Sequence, residues 1–210
     1  MSAGKADEDG VVGGKASDET ATGFPLHDPA TAPDAARPLM AEAQAALGKV
    51  PNLERVMAEA PALLEAYVKT WAIFDTTTLS PAERQVVYQV ANVQNGCSYC
   101  RPWHAKLSKM AGMDPDDVIS LRDGEALSDP RLEALRVFAL AVLEARGDVS
   151  QDVCEAVRAA GYTREQMLEV VLGLAIKVLS NYTNALAKTP LDPEVVSWAS
   201  QRPETPTVVS

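Results

Sequence analysis

Ser80-Pro81-Ala82-Glu83-Arg84-Gln85-Val86-Val87-Tyr88-Gln89-Val90-Ala91-Asn92-Val93-Gln94-Asn95-Gly96-Cys97-Ser98-Tyr99-Cys100-Arg101-Pro102-Trp103-His104 carries both the helical signature of this chain and its densest chemistry. Ser80 is a good N-cap, Pro81 fits the first helical position, and Glu83 completes a capping box. Val86, Val87, Val90 and Val93 then recur on a helical period, and Asn95-Gly96 stops the helix. A second helix is predicted from about Cys97 or Ser98 to Met110, ending at Gly112. Pro102 lacks an amide, so it either delays the regular helix to about Ser98 or Tyr99 or bends it there.

The same punctuation recurs on both sides. Asp114-Pro115 opens a short helix, and Asp129-Pro130 a longer one carrying Leu132, Leu135, Phe138, Ala139, Val142 and Leu143. Ser150 caps 151–160, which Gly161 stops. Thr163-Arg164-Glu165-Gln166 repeats the capping box before a long helix through Leu186. Upstream, 34–48 and 52–74 read as helices. Alternating runs of strand length are absent, so the fold class is all-α. Residues 1–23 hold hardly an apolar side chain and are expected to be a disordered tail. The helical domain is placed at 24–200, and 201–210 is expected to fray.

A formal net charge of −10 would repel nucleic-acid phosphates and anionic membrane surfaces, so neither is expected as a partner. The most apolar stretch, Met167 to Leu179, is interrupted by Glu169 and Lys177 and is shorter than the ~20 residues a membrane span needs. The first residues lack the basic start and apolar run of a secretory signal, which points to a cytoplasmic, reducing location.

Cys97, Cys100 and His104 lie within eight residues, in a chain with one other cysteine, Cys154, and one other histidine, His27. Two thiols three positions apart can close a small disulfide ring. A histidine four positions beyond the second lies one helical turn away and can exchange a proton with it. The positive end of a helix starting near Cys97 favours thiolates there, and Arg101 adds to the effect. Redox-active dithiol chemistry is therefore the leading reading. Two others stay open: a pair of buried small hydrophobes, and a zinc site, for which Cys154 or His27 would have to arrive from distant segments. No metal or cofactor is called for. Cys154 reads as core and His27 as a solvated turn residue.

The segment Leu79 to His104, with Cys-x-x-Cys-x-x-x-His preceded by Asn-Gly and by a Ser-Pro-x-Glu-Arg helix, resembles the carboxymuconolactone decarboxylase and alkylhydroperoxidase superfamily. Gly161-Tyr162 through Asn181-Tyr182-Thr183-Asn184 and Pro190-Leu191-Asp192 look like its peroxidase-related branch, though a core helix explains Tyr182 and Asn184 as well. The resemblance implies an all-helical homo-oligomer, a trimer or hexamer. It also implies a thiol-dependent peroxidase that reduces organic hydroperoxides or hydrogen peroxide at the expense of a dithiol or protein-thiol reductant. By the same resemblance Cys100 attacks the peroxide and becomes a sulfenic acid, Cys97 is its proton donor and resolves it as a disulfide, and His104 is the relay base.

Where the family relay has a glutamate, this chain has Gln85, which cannot take up a proton. Glu83 is about 200° around the helix from that position and reads as a capping residue, a poor substitute in the relay. Trp103 stands where the family commonly has a small apolar residue. It could wall a hydroperoxide pocket, but a core or subunit-interface role is the preferred reading. A lactone enzyme of the decarboxylase type and a non-catalytic helical oligomer or redox sensor are the alternatives in function.

Overall fold

Helix punctuation decides the architecture almost residue by residue. In a computed structural model that describes residues 19–200, the chain forms α1 (Arg37–Leu47), α2 (Asn52–Met57), α3 (Pro61–Asp75), α4 (Pro81–Gln94) and α5 (Cys100–Met110). These are followed by α6 (Pro115–Asp123), α7 (Pro130–Glu144), α8 (Gln151–Ala159), α9 (Arg164–Ala187) and a 3-10 helix, Pro193–Trp198. The Ser80–Glu83 and Thr163–Gln166 capping boxes form reciprocally, and Asp114, Asp129 and Ser150 cap α6, α7 and α8. Each such cap is worth about 1 kcal/mol.

Four expectations change. The helix expected over 52–74 is two helices, because Pro61 starts α3 at a position needing no amide donor and leaves Ala60 extended. The helix expected over 34–48 starts at Arg37. The 3-10 helix after Asp192 had no anticipated counterpart. Of the expected tail 1–23, residues 1–18 lie outside the described residues, as do 201–210. Residues 19–23 are docked on the domain: Glu19 bridges Pro25, and the Thr22 hydroxyl donates to the Ala187 carbonyl at 2.7 Å, at the end of α9. Those carbonyls have no intrahelical donor, and Thr22 supplies one.

The packing centres on α4 and α9. Helix α4 packs on α5, α6, α7 and α9, while α9 also lies against α2, α3 and α7. By length and composition α9 could cross a membrane, being longer than its apolar run suggests, and half of its most apolar stretch is buried within the fold. Gly173 sets how closely it approaches its neighbours. A Cβ there would come within 2.7 Å of both Phe74 Cζ on α3 and Val87 Cγ1 on α4. One turn further along α9 is Lys177, so this close approach also sets the depth of that side chain.

Gly173→Ala is accordingly expected to lower the urea midpoint despite the better helix propensity of alanine. Overpacking costs about 1–3 kcal/mol, against a gain of about 1 kcal/mol in propensity. An unchanged or raised midpoint would show that Phe74 and Val87 give way without cost.

Candidate active site

The dithiol sits at the junction of α4 and α5. Gly96 takes a left-handed conformation (φ 61°), letting its amide bond to the Val93 carbonyl at 3.0 Å and the Cys97 amide to that of Asn92 at 2.9 Å. The chain turns at once into α5, where the Arg101 amide reaches the Cys97 carbonyl at 3.1 Å. Pro102 lies in the first turn of α5, where a missing amide leaves no intrahelical bond unmade, so the helix is neither bent nor broken. The start at Cys100, later than the expected Cys97 or Ser98, still leaves His104 one turn on. Cys97 and Cys100 are buried free thiols, and the Cys100 amide donates to Cys97 Sγ at 3.3 Å.

His104 is placed differently from the proton relay inferred from spacing. Its Nδ1 lies 2.8 Å from Gln85 Oε1 and its Nε2 lies 2.9 Å from Lys177 Nζ. An ammonium only donates, so Nε2 must accept and the ring proton sits on Nδ1, donated to the Gln85 carbonyl oxygen. Both nitrogens are thereby committed. Burial, joined by the Lys177 charge, pushes the imidazole well below its usual pKa, so the ring is neutral and cannot readily store a proton. Gln85 thus fixes the tautomer of His104 and has no proton-accepting part. Glu83 does not join the site. Its carboxylate accepts from the Ser80 amide at 2.7 Å and from Arg131 at 2.8 and 3.0 Å, and these bonds outweigh burial to keep it below the usual carboxylate range.

The decisive residue is one that sequence reasoning treated only as a break in an apolar run. Lys177 is 1% exposed. On α9 it shares a face with Ser180, Asn181 and Asn184, at the i, i+3, i+4, i+7 spacing, and this whole face is buried against the dithiol. Asn184 Nδ2 donates to Cys100 Sγ at 3.3 Å. Asn181 is held by Asn92 and Asn95, both at 2.9 Å, and Asn92 by Gln89, which also donates to the Arg101 carbonyl at 3.0 Å. The signal that could have revealed Lys177 was its position: a charged residue on the stripe that the helical period buries.

Burial alone would raise the Cys100 thiol. The hydrogen bond from Cys97, the Lys177 charge and the hydrogen bonds of Asn181 and Ser180 reverse this and hold it below the usual thiol range. Cys97 moves the other way, pushed up by its hydrogen bond to Cys100, by burial and by the Cys100 charge. Of the pair, Cys100 is therefore the sulfur that ionises first, with Cys97 beside it as the thiol.

Cys100 lines a cavity of about 460 Å³ together with His104, Lys177 and Glu54; Leu53, Val68, Trp71, Trp103 and Leu107 form much of its apolar wall. Trp103 is therefore a cavity residue, and its indole also donates to Asp192 at 3.1 Å. Asp192 is buried and accepts in addition from Lys49 at 2.6 Å and from the Tyr99 hydroxyl, which itself accepts from the Leu53 amide at 3.1 Å. This carboxylate ties α2, the dithiol turn and the C-terminal segment into one wall. Among the described residues no group of three or more His, Cys, Asp or Glu side chains is placed to hold a metal ion.

Residues 61–145 match the Carboxymuconolactone decarboxylase family. The fold is similar to the alkylhydroperoxidase AhpD core structure of an uncharacterized peroxidase-related protein from Ralstonia eutropha JMP134 (25% identity, TM-score 0.74, 82% of this chain and 93% of that one). It is also similar to an uncharacterized peroxidase-related protein from Silicibacter sp. TM1040 (21% identity, TM-score 0.71, 89% and 97%). A debrominase in complex with 2,3,4-tribromopyrrole shares the fold as well (16% identity, TM-score 0.70, 87% and 97%). No curated protein matches the chain at a significant level.

Removing the buried charge tests the electrostatic arrangement. Lys177→Met keeps the side-chain length and is expected to raise the pH midpoint for alkylation of Cys100 by iodoacetamide by about one unit or more, which corresponds to at least ~1.4 kcal/mol of lost thiolate stabilisation. Peptide mass mapping across pH separates Cys100 from Cys97. An unmoved midpoint would show that hydrogen bonds alone hold the thiolate.

Proposed function

We propose that this chain, a member of the carboxymuconolactone decarboxylase family through residues 61–145, is a thiol-dependent peroxidase that reduces organic hydroperoxides or hydrogen peroxide through its paired cysteines. The observation that carries the reading is the geometry of the pair: Cys100 lines a largely apolar cavity, and Cys97, a second buried free thiol, lies directly behind it with its Sγ 3.3 Å from the Cys100 amide. Cys100 thiolate attacks the terminal peroxide oxygen, the O–O bond breaks, and Cys100 becomes a sulfenic acid. The Cys97 sulfur then displaces the hydroxyl as water and closes the Cys97–Cys100 disulfide. A dithiol or protein-thiol reductant reopens it by exchange. Such a cycle suits a reducing compartment such as the cytoplasm. Two of the proteins that share the fold are peroxidase-related, in agreement with this reading.

A homo-oligomer, a trimer or hexamer, belongs to the same proposal. Leu168, Val171, Ala175, Val178, Tyr182 and Ala185 lie exposed along α9 at alternating spacings of three and four, an apolar seam of the kind that a helix of a second copy covers. Light scattering at micromolar concentration is expected to give a multiple of three chains. A stable 22.4 kDa monomer would contradict the assembly.

The activity is tested by hydroperoxide consumption with dithiothreitol as reductant. Cys100→Ser is expected to abolish turnover. With no reductant present, Cys97→Ser is expected to stop after one equivalent of hydroperoxide, leaving a sulfenic acid on Cys100 that dimedone traps. Full activity of Cys100→Ser, or consumption of a brominated pyrrole by a wild-type protein inert to every peroxide, would overturn the peroxidase reading.

A further inference from the structure

Glu54 is a buried carboxyl of the cavity that the cycle above leaves unused. It is 8% exposed, lies on α2, and lines the same cavity as Cys100. Its Oε2 is buried with no hydrogen-bond partner. An orphaned carboxyl oxygen is costly to bury, more so if charged, and Glu54 as a residue lines the space that a substrate would fill. The groups around it are Asp192 before the 3-10 helix, Cys100 on α5, Lys177 on α9, Tyr67 on α3 and Tyr99 in the dithiol turn. His104 lines the cavity too, with both nitrogens already committed to Gln85 and Lys177.

We propose that Glu54 is the general acid of the site: its buried carboxyl, on a residue that lines the same cavity as Cys100, protonates the alkoxide that leaves an organic hydroperoxide. This rests on the peroxidase reading above and gives the poor leaving group a proton source of its own, so that the Cys97 thiol is kept for the condensation. Thiolate attack on R–O–OH forms the S–O bond of the sulfenic acid and expels RO⁻. The Glu54 proton passes to that oxygen to give ROH, leaving the Glu54 carboxylate. Condensation of the sulfenic acid with the Cys97 thiol releases water and consumes no net proton. Reduction of the disulfide by a dithiol regenerates the Cys97 thiol and the Cys100 thiolate and frees one proton, which returns to Glu54. The cycle then balances as ROOH plus dithiol giving ROH, water and disulfide.

Burial pushes the carboxyl up to about 8, with the negative charges of Asp192 and Cys100 adding to the rise and its own backbone amide and Lys177 opposing it. Glu54 therefore holds its proton at neutral pH, while Cys100 is already ionised. Such a pair gives a rate that rises through the Cys100 ionisation and falls as the pH passes Glu54.

The test compares leaving groups. The oxidation rate of the full-length protein is followed by stopped flow with tert-butyl hydroperoxide, whose alkoxide needs a proton, and with peracetic acid, whose carboxylate does not. At pH 6.5, Glu54→Gln is expected to slow the first reaction by about 10²–10⁴-fold and leave the second little changed. It should also lose the alkaline fall of the alkyl hydroperoxide profile, and Glu54→Asp should recover part of the rate. The peracid reaction reports, in the same variant, that the thiolate site is intact. Equal losses with both oxidants, or no loss with either, overturn the role of Glu54 and leave the peroxidase reading standing. A wild-type protein inert to both oxidants overturns the two together.

Discussion

A lysine ammonium buried to 1% exposure is the constraint around which the site is arranged. Taking such a charge out of water costs several kcal/mol unless partners compensate. Among the described residues Lys177 hydrogen-bonds to no carboxylate. It has the Nε2 lone pair of His104 at 2.9 Å, the ring faces of Tyr88 and Trp71 with centroids 5.4 and 6.0 Å away, and the negative charge that its own presence favours on Cys100. The thiolate and the ammonium therefore stabilise each other. Each would be costly in that place without the other.

Everything else in the site serves that pairing. Gly173 lets α9 come close enough to α3 and α4 to place Lys177 at depth. Gln85 sets the tautomer that leaves His104 Nε2 free to accept. The amide chain from Gln89 through Asn92, Asn181 and Asn95 locks α9 to the end of α4, and Asn184 contributes a direct bond to the sulfur. Asp192 holds Tyr99, Trp103 and Lys49, closing the cavity wall from the C-terminal side. The glutamine in place of a relay glutamate is consistent with this scheme, because the buried cation does the work of stabilising negative charge on sulfur.

The sequence spoke clearly where a signal is local. Capping boxes at Ser80 and Thr163, prolines at helix starts and Gly96 after α4 each act within one turn, and the elements they mark are present. The concentration of Cys97, Cys100 and His104 located the site. Partners from distant segments were not legible. Which atoms His104 meets depends on α9 crossing α4, some seventy residues later. The upward push on the Glu54 carboxyl comes from burial that no pattern within Asn52–Met57 announces. The neighbours of Trp103 in sequence suit a core or interface residue equally well, because the cavity wall it completes is contributed by α2 and α3.

The pairing of Cys100 with Lys177 is tested most directly by ultraviolet titration of thiolate absorbance in the reduced protein and its single-cysteine variants. One thiolate is expected already at neutral pH, below the ~8.5 of a free cysteine, retained in Cys97→Ser and lost in Cys100→Ser. A protein with no thiolate until the pH passes ~8.5, or one whose neutral-pH signal survives Cys100→Ser, would contradict the pairing.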